Sequence, residues 1–123
     1  MRRLTIWAIA AGCLAAPAQA MTVAEFLGKV DRLKARGVLA LGSSDIGLLK
    51  REMEGVTKAY RADVDGASAA GRPPHSCPPP RGQAKMTSSD LLAEFQKIPP
   101  AQRGMSVKAA FYAMMKRRYP CPA

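Results

Sequence analysis

The sequence predicts an all-α protein, a small bundle of about four helices with one disulfide. Two observations lead there. Apolar residues recur three and four apart in four separate segments, the period of a helix with one buried face, and no segment alternates as a half-buried strand does. A proline-rich break then sorts those segments into two pairs, with one cysteine inside the break and another near the end of the chain.

The first helix opens at Thr22 with Glu25 three residues later, a capping box in which each side chain satisfies the other's backbone N–H. Val23, Phe26, Leu27, Val30 and Leu33 fall on one face. Glu25 and Lys29 stand four apart on the opposite face in the favourable order, and Gly37 suits a left-handed stop. Val38 to Gly42 reads as a short apolar connection, after which Ser43, Ser44 and Asp45 all offer N-caps. Ile46, Leu49, Met53, Val56, Tyr60 and Val64 continue as a long helical stripe, predicting a helix to about Ala70. Gly55 and Ala59 lie on another of its faces. A small pair like this admits a close neighbour, such as a second copy in a homodimer, or is simply tolerated.

Residues 71–86 form a linker, since Gly71 to Gln83 holds five prolines and consecutive prolines forbid a helix. The third helix starts at Thr87, with Asp90 completing an approximate capping box and Met86 placed to staple onto Leu91. Leu91, Leu92, Phe95 and Ile98 face inward before Pro99 and Pro100 end it. The last helix covers about Ser106 to Arg118. Val107, Ala110, Phe111 and Met114 make its buried face, and Lys108, Tyr112 and Lys116 a stripe on the other side. The whole is one domain over residues 21–123, with an N-terminal pair at 21–70 and a C-terminal pair at 87–121.

Residues 1–20 read as an export signal cleaved after Ala20. Arg2 and Arg3 precede an apolar run of 13 residues, Leu4 to Ala16, and Ala18-Gln19-Ala20 supplies the small-x-small site. That run is too short to span a bilayer, which takes about 20 residues. Ala10-Ala11-Gly12-Cys13 is a weak lipobox, so lipidation at Cys13 is the rival route. Export implies an oxidising compartment, where the two remaining cysteines, Cys77 and Cys121, read as a structural disulfide. Closing that loop of 45 residues stabilises by roughly 4 kcal/mol in the chain-entropy picture.

Without residues 1–20 the chain carries 17 Lys and Arg against 9 Asp and Glu. Residues 21–66 are near neutral at +1, and residues 67–123 carry +7. Such a half suits an acidic protein, an anionic wall polymer or a membrane surface. Nucleic acid is set aside because an exported chain rarely meets it.

Catalysis is not expected. His75 is the one histidine, and a hydrolase needs a base beside a positioned nucleophile, as a metal site needs several converging ligands. Glu52 and Glu54 point to different helix faces, and no phosphate loop, dinucleotide fingerprint or nucleophile elbow occurs. No catalytic residue, cofactor or metal is therefore assigned. Two constellations suit binding. Lys116, Arg117 and Arg118, with Lys108 and Arg103 nearby, form a basic cluster that also has the bland reading of cations at a helix C-terminus. Arg72, His75 and Arg81 project from the proline-stiffened loop, which otherwise is a connector stiffened only for stability.

Cys77-Pro78-Pro79, Leu91-Leu92-x-x-Phe95, the proline pair after Ile98, Val107-x-x-Ala110-Phe111 and the closing Tyr119-Pro120-Cys121 follow one pattern over residues 76–121. It resembles the Rap/Tai family of immunity proteins from type VI secretion. The resemblance implies a periplasmic helical protein whose Cys77 and Cys121 are joined, and which binds a secreted peptidoglycan amidase and occludes its active site, often while self-associating. At Glu54-Gly55-Val56 the chain lacks a cysteine that many relatives carry there. Two alternatives are a small periplasmic chaperone and a basic binder of cell-wall polymer. Nine carboxylates against seventeen bases make the chain a poor acid-triggered chaperone.

Overall fold

The computed structural model describes residues 20–122. All but the last of the residues read from sequence as an export signal, Cys13 among them, lie outside the described residues. Among the described residues there are four α-helices, α1 (Val23–Arg36), α2 (Ser44–Ala69), α3 (Ser88–Gln96) and α4 (Val107–Arg118). No strand occurs among the described residues, only an isolated antiparallel bridge between Thr22 and Ser106. None of these helices is long and apolar enough to cross a membrane.

That bridge joins the starts of two helices. Thr22 and Ser106 are the N-caps of α1 and α4, each accepting from the backbone N–H three residues on. Extended backbone at an N-cap leaves its neighbours free to pair. Val23 N–H donates to Met105 O and Val107 N–H to Met21 O, both at 2.9 Å, and Ala24 N–H reaches Arg103 O. The N–H groups that a helix start leaves orphaned are thus satisfied by the other helix's approach. At Thr22 the expected box is half made, the hydroxyl accepting from Glu25 N at 3.1 Å. Thr87 and Asp90 close a full reciprocal box at α3.

α1 packs on α2, α3 and α4, and α2 packs on α4. The predicted inner faces meet in one core. Val23, Phe26, Leu27 and Val30 pack with Val56, Tyr60, Val64, Leu91, Phe95, Val107, Ala110, Phe111 and Met114, and Met115 joins them. Phe26 and Phe95 meet edge to face with centroids 5.6 Å apart, the geometry their quadrupoles favour.

Three local expectations change. Lys29 does not pair along its own helix with Glu25. Its ammonium lies 3.2 Å from Asp45 of α2, and Arg32 reaches the same carboxylate at 3.5 Å, because α2 starts beside the last turns of α1. Val38 to Gly42 belongs to a 3₁₀ turn spanning Gly37–Gly42, entered through Gly37 at φ 56°. The stripe on α2 is buried only over Val56, Tyr60 and Val64, while Leu49 and Met53 are half-covered and Ile46 is exposed.

Phe95→Ala is expected to cost about 3–5 kcal/mol, the usual range for truncating an enclosed aromatic ring. Replacing both Cys77 and Cys121 by Ser should lower stability by up to about 4 kcal/mol. Chemical denaturation of each variant against the parent measures both. A Phe95→Ala loss below 1 kcal/mol, on the order of an exposed-site change, is incompatible with this core.

The Asp45 carboxyl is held below its ordinary value of 3.8, first by the Lys29 hydrogen bond, then by the charges of Lys29 and Arg32 against the opposing cost of burial. A carboxyl lowered in the folded state stabilises above its unfolded value and loses that contribution as pH falls through the folded one. Asp45→Asn should therefore flatten part of the acid limb of stability below about pH 4 and leave its shape at neutral pH unchanged. A pH series of denaturation midpoints reads the difference.

Candidate functional site

The proline loop is pinned along its length. α2 ends in a paired C-cap, with Gly71 at φ 69°, its N–H donating to Ser68 O at 3.1 Å and the Arg72 N–H to Ala67 O at 2.9 Å. Glycine takes this conformation without the clash a Cβ would bring. The loop then turns back along α2. Ser76 is fully buried, and its hydroxyl shares a short hydrogen bond with the Tyr60 hydroxyl. Both terminal nitrogens of Arg61 lie 3.4 Å from Pro79 O. Gly82, at φ 83°, makes the next turn, where Gln83 N–H donates to Pro80 O at 3.0 Å.

The tail closes over the same segment. Cys77 and Cys121 form the disulfide, with Cα atoms 4.9 Å apart. Cys77 N–H donates to Tyr119 O at 2.8 Å. Prolines contribute no donors, so these few bonds and the covalent tie hold the loop where a regular ladder would elsewhere.

One member of each constellation seen in the sequence, His75 and Lys108, meets the other at Tyr112. The His75 ring lies tilted against Tyr112 with centroids 5.4 Å apart, and the Lys108 ammonium sits 5.6 Å from the same ring. Tyr112 is therefore not a free member of an outward stripe. It is half-buried, packs edge to face on Tyr60 at 5.3 Å and donates to Asp63 of α2. Burial first, then the Asp63 carboxylate, push its phenol well above the ordinary 10.0, so it stays protonated and donating at neutral pH. Lys116 continues the exposed face one turn on.

The remaining residues separate. Arg72 is exposed beside the cap of α2. Arg81 is drawn to Asp65 at 3.0 Å, both side chains staying in water. Arg117 lies 3.7 Å from Glu94, which Lys97 also engages at 3.0 Å. Arg118 stacks near Tyr119 at 5.9 Å. Arg103, grouped with the basic cluster from sequence, instead closes the end of α3, donating to Ile98 O and Gln96 O at 2.9 Å. Sequence reasoning missed Tyr60, Ser76 and Arg61 as the groups that set the loop, and Asp63 as the partner of Tyr112. A lone serine among prolines carries no periodic signal, and the tyrosine read as plain core.

Two grooves flank α3. One of about 440 Å³ lies between α3 and α4, lined by Glu94, Ile98, Met105 and Arg117 among others. The other, about 430 Å³ and apolar, opens between α1, α2 and α3 at Val30, Leu33, Ile46, Leu49, Met53 and Leu92. Gly55 faces open space, with nothing within 4 Å of an added Cβ. Among the described residues no cluster of three or more His, Cys, Asp or Glu is arranged to hold a metal ion.

Comparison with protein-family models, with curated proteins and with solved structures finds no match to this chain.

The Tyr60–Ser76 bond should be visible as energetic coupling. Tyr60→Phe and Ser76→Ala each break it, and the double variant should cost less than the two single losses summed, by about 0.5–3 kcal/mol. Strict additivity in a denaturation cycle would remove the bond from the account of the loop.

Proposed function

We propose that this protein is an exported, periplasmic binding protein of the immunity type, which neutralises a secreted peptidoglycan amidase by occluding its active site. The observation that carries this reading is the proline loop, tied at Cys77, Ser76 and Pro79 and merging through His75 with the basic face of α4. A loop already held in one conformation loses little further freedom on binding, so more of its contact energy appears as affinity. Cleft-blocking loops need that property.

The disulfide pairs the two cysteines that the Rap/Tai resemblance joins, which supports the same reading. Export rests on the sequence pattern of residues 1–20. Met21, the first residue after the proposed cut, accepts through its carbonyl from Val107 N–H in the helix-start bridge. The contact face we assign comprises Arg72, His75, Lys108, Tyr112 and Lys116, with Arg81 beside it on the loop, while Arg117 and Arg118 stand on the α3 side of α4. No catalytic step is assigned to the chain. A wall-polymer binder would draw on the same basic residues, yet Arg81 and Arg117 already have carboxylate neighbours, which weakens a purely electrostatic surface.

Purified protein should inhibit a peptidoglycan amidase encoded beside it, and Arg72→Glu with His75→Asp should weaken that inhibition at least about tenfold, the size of a central contact's loss. Thermal stability should fall only slightly, since both side chains are exposed and His75 gives up its ring contact with Tyr112. Inhibition that falls away steeply with salt, or recovery of wall fragments with no protein in a periplasmic pull-down, would transfer the protein to the polymer-binding class.

A further inference from the structure

All the large hydrophobic side chains that the described residues leave exposed fall within eleven positions. They are Val38, Leu39 and Leu41, at 83, 80 and 82% exposure, with Ile46 and Leu48 at 38 and 37%. The first three stand on the Gly37–Gly42 turn between α1 and α2. In a 3₁₀ turn residues three apart eclipse one another, so Val38 and Leu41 share a side and Leu39 stands next to them. Ala40 alone turns inward and is buried. The turn is inverted relative to the helices: its smallest side chain packs on the fold and its largest ones point into water.

The surroundings of this tip are basic. Between residues 29 and 51 the chain has Lys29, Arg32, Lys34, Arg36, Lys50 and Arg51 against only Asp31 and Asp45. Lys29 and Arg32 are engaged by Asp45, and Lys50 lies 3.9 Å from Glu54, which leaves Lys34 and Arg36, exposed in the last turn before the tip, as the cations of the collar nearest it. Counted over the whole N-terminal half the charge is near neutral, so this local excess is invisible until the acidic residues further along α2 are set apart from it.

The geometry points to this turn as a membrane-docking tip, in which Val38, Leu39 and Leu41 insert into the interface of an anionic lipid surface and the basic collar binds its headgroups. A bilayer accepts a convex apolar tip without any matching cavity. A second protein must provide one, and three side chains cover far less than the roughly 1,000 Å² that a specific protein interface needs. Anionic headgroups also attract the collar, each nearby Lys or Arg adding to the binding. This surface is separate from the proline loop. The loop contacts α2 at Tyr60, Arg61 and Asp65, about 24 Å beyond the Ser44 start of that helix at 1.5 Å per residue, so the two features lie apart along it. A protein docked by the tip would therefore hold its loop face away from the membrane.

The test is co-sedimentation of natively processed protein with phosphatidylcholine vesicles, with and without phosphatidylglycerol. Binding is expected only to the vesicles that contain phosphatidylglycerol. Leu39→Ser with Leu41→Ser should lower the partition coefficient at least about tenfold, as expected for two buried leucines lost, at unchanged thermal stability. Lys34→Glu with Arg36→Glu should abolish the preference for anionic lipid. The sole tryptophan of the chain, Trp7, lies in the export segment, so Leu39→Trp gives a reporter whose emission should shift to the blue on binding. Equal sedimentation of the parent and the Leu39→Ser, Leu41→Ser variant would overturn the proposal. So would a parent dimer in light scattering that the same pair of substitutions dissociates, since a second copy would then cover the tip. Loss of lipid binding leaves amidase inhibition intact, so failure here is distinguishable from failure of the immunity reading.

Discussion

The covalent tie between Cys77 and Cys121 is the constraint that lets the rest of the C-terminal half exist as described. Five prolines deny residues 71–83 the backbone donors with which a segment normally organises itself. What replaces them is a few specific bonds: the glycine cap of α2, the Tyr60–Ser76 hydroxyl pair, Arg61 on Pro79, and Cys77 on Tyr119. Each is modest alone in water. The disulfide keeps the partners together, so the others form at little further entropic cost.

The other end of the fold is organised by α1. Its start is paired with the start of α4 through the Thr22–Ser106 bridge, its inner face touches all three other helices, and its end salt-bridges to α2 through Asp45. A chain of this size buries a limited share of its surface, which makes a shared helix a sound use of few apolar residues. One consequence is that the core closes around Phe95, Met114 and Val23 and thins towards the first turns of α2. There Leu49 and Met53 are only half-covered and an apolar groove stays open.

The two surfaces proposed for binding follow from this arrangement. Where the loop and α4 meet, the Tyr112 ring lies under the Lys108 ammonium and edge to face with Tyr60, and its hydroxyl is fixed by a carboxylate on α2. Where the core thins, apolar side chains are left outward on a turn collared by lysine and arginine. One face is polar and pinned. The other is apolar and convex, and the length of α2 keeps them apart.

Much of the fold was legible before any coordinates. The four helices, the Thr87–Asp90 box, the proline breaks at both ends of the C-terminal pair and the pairing of the two cysteines all follow from local rules: period, capping chemistry, missing donors and redox compartment. These depend on residues close in sequence, or on there being only two cysteines beyond residues 1–20. What tertiary structure alone decided is which elements face one another. Lys29 chose Asp45 over Glu25, Arg103 became a cap for α3, and Tyr112 turned from a stripe residue into the hinge of the loop face. Val38, Leu39 and Leu41 looked like an apolar connection and proved to be an exposed tip. Periodicity states that a side has apolar residues, whereas burial depends on whether another element arrives to cover it, and that is settled only by packing at long range.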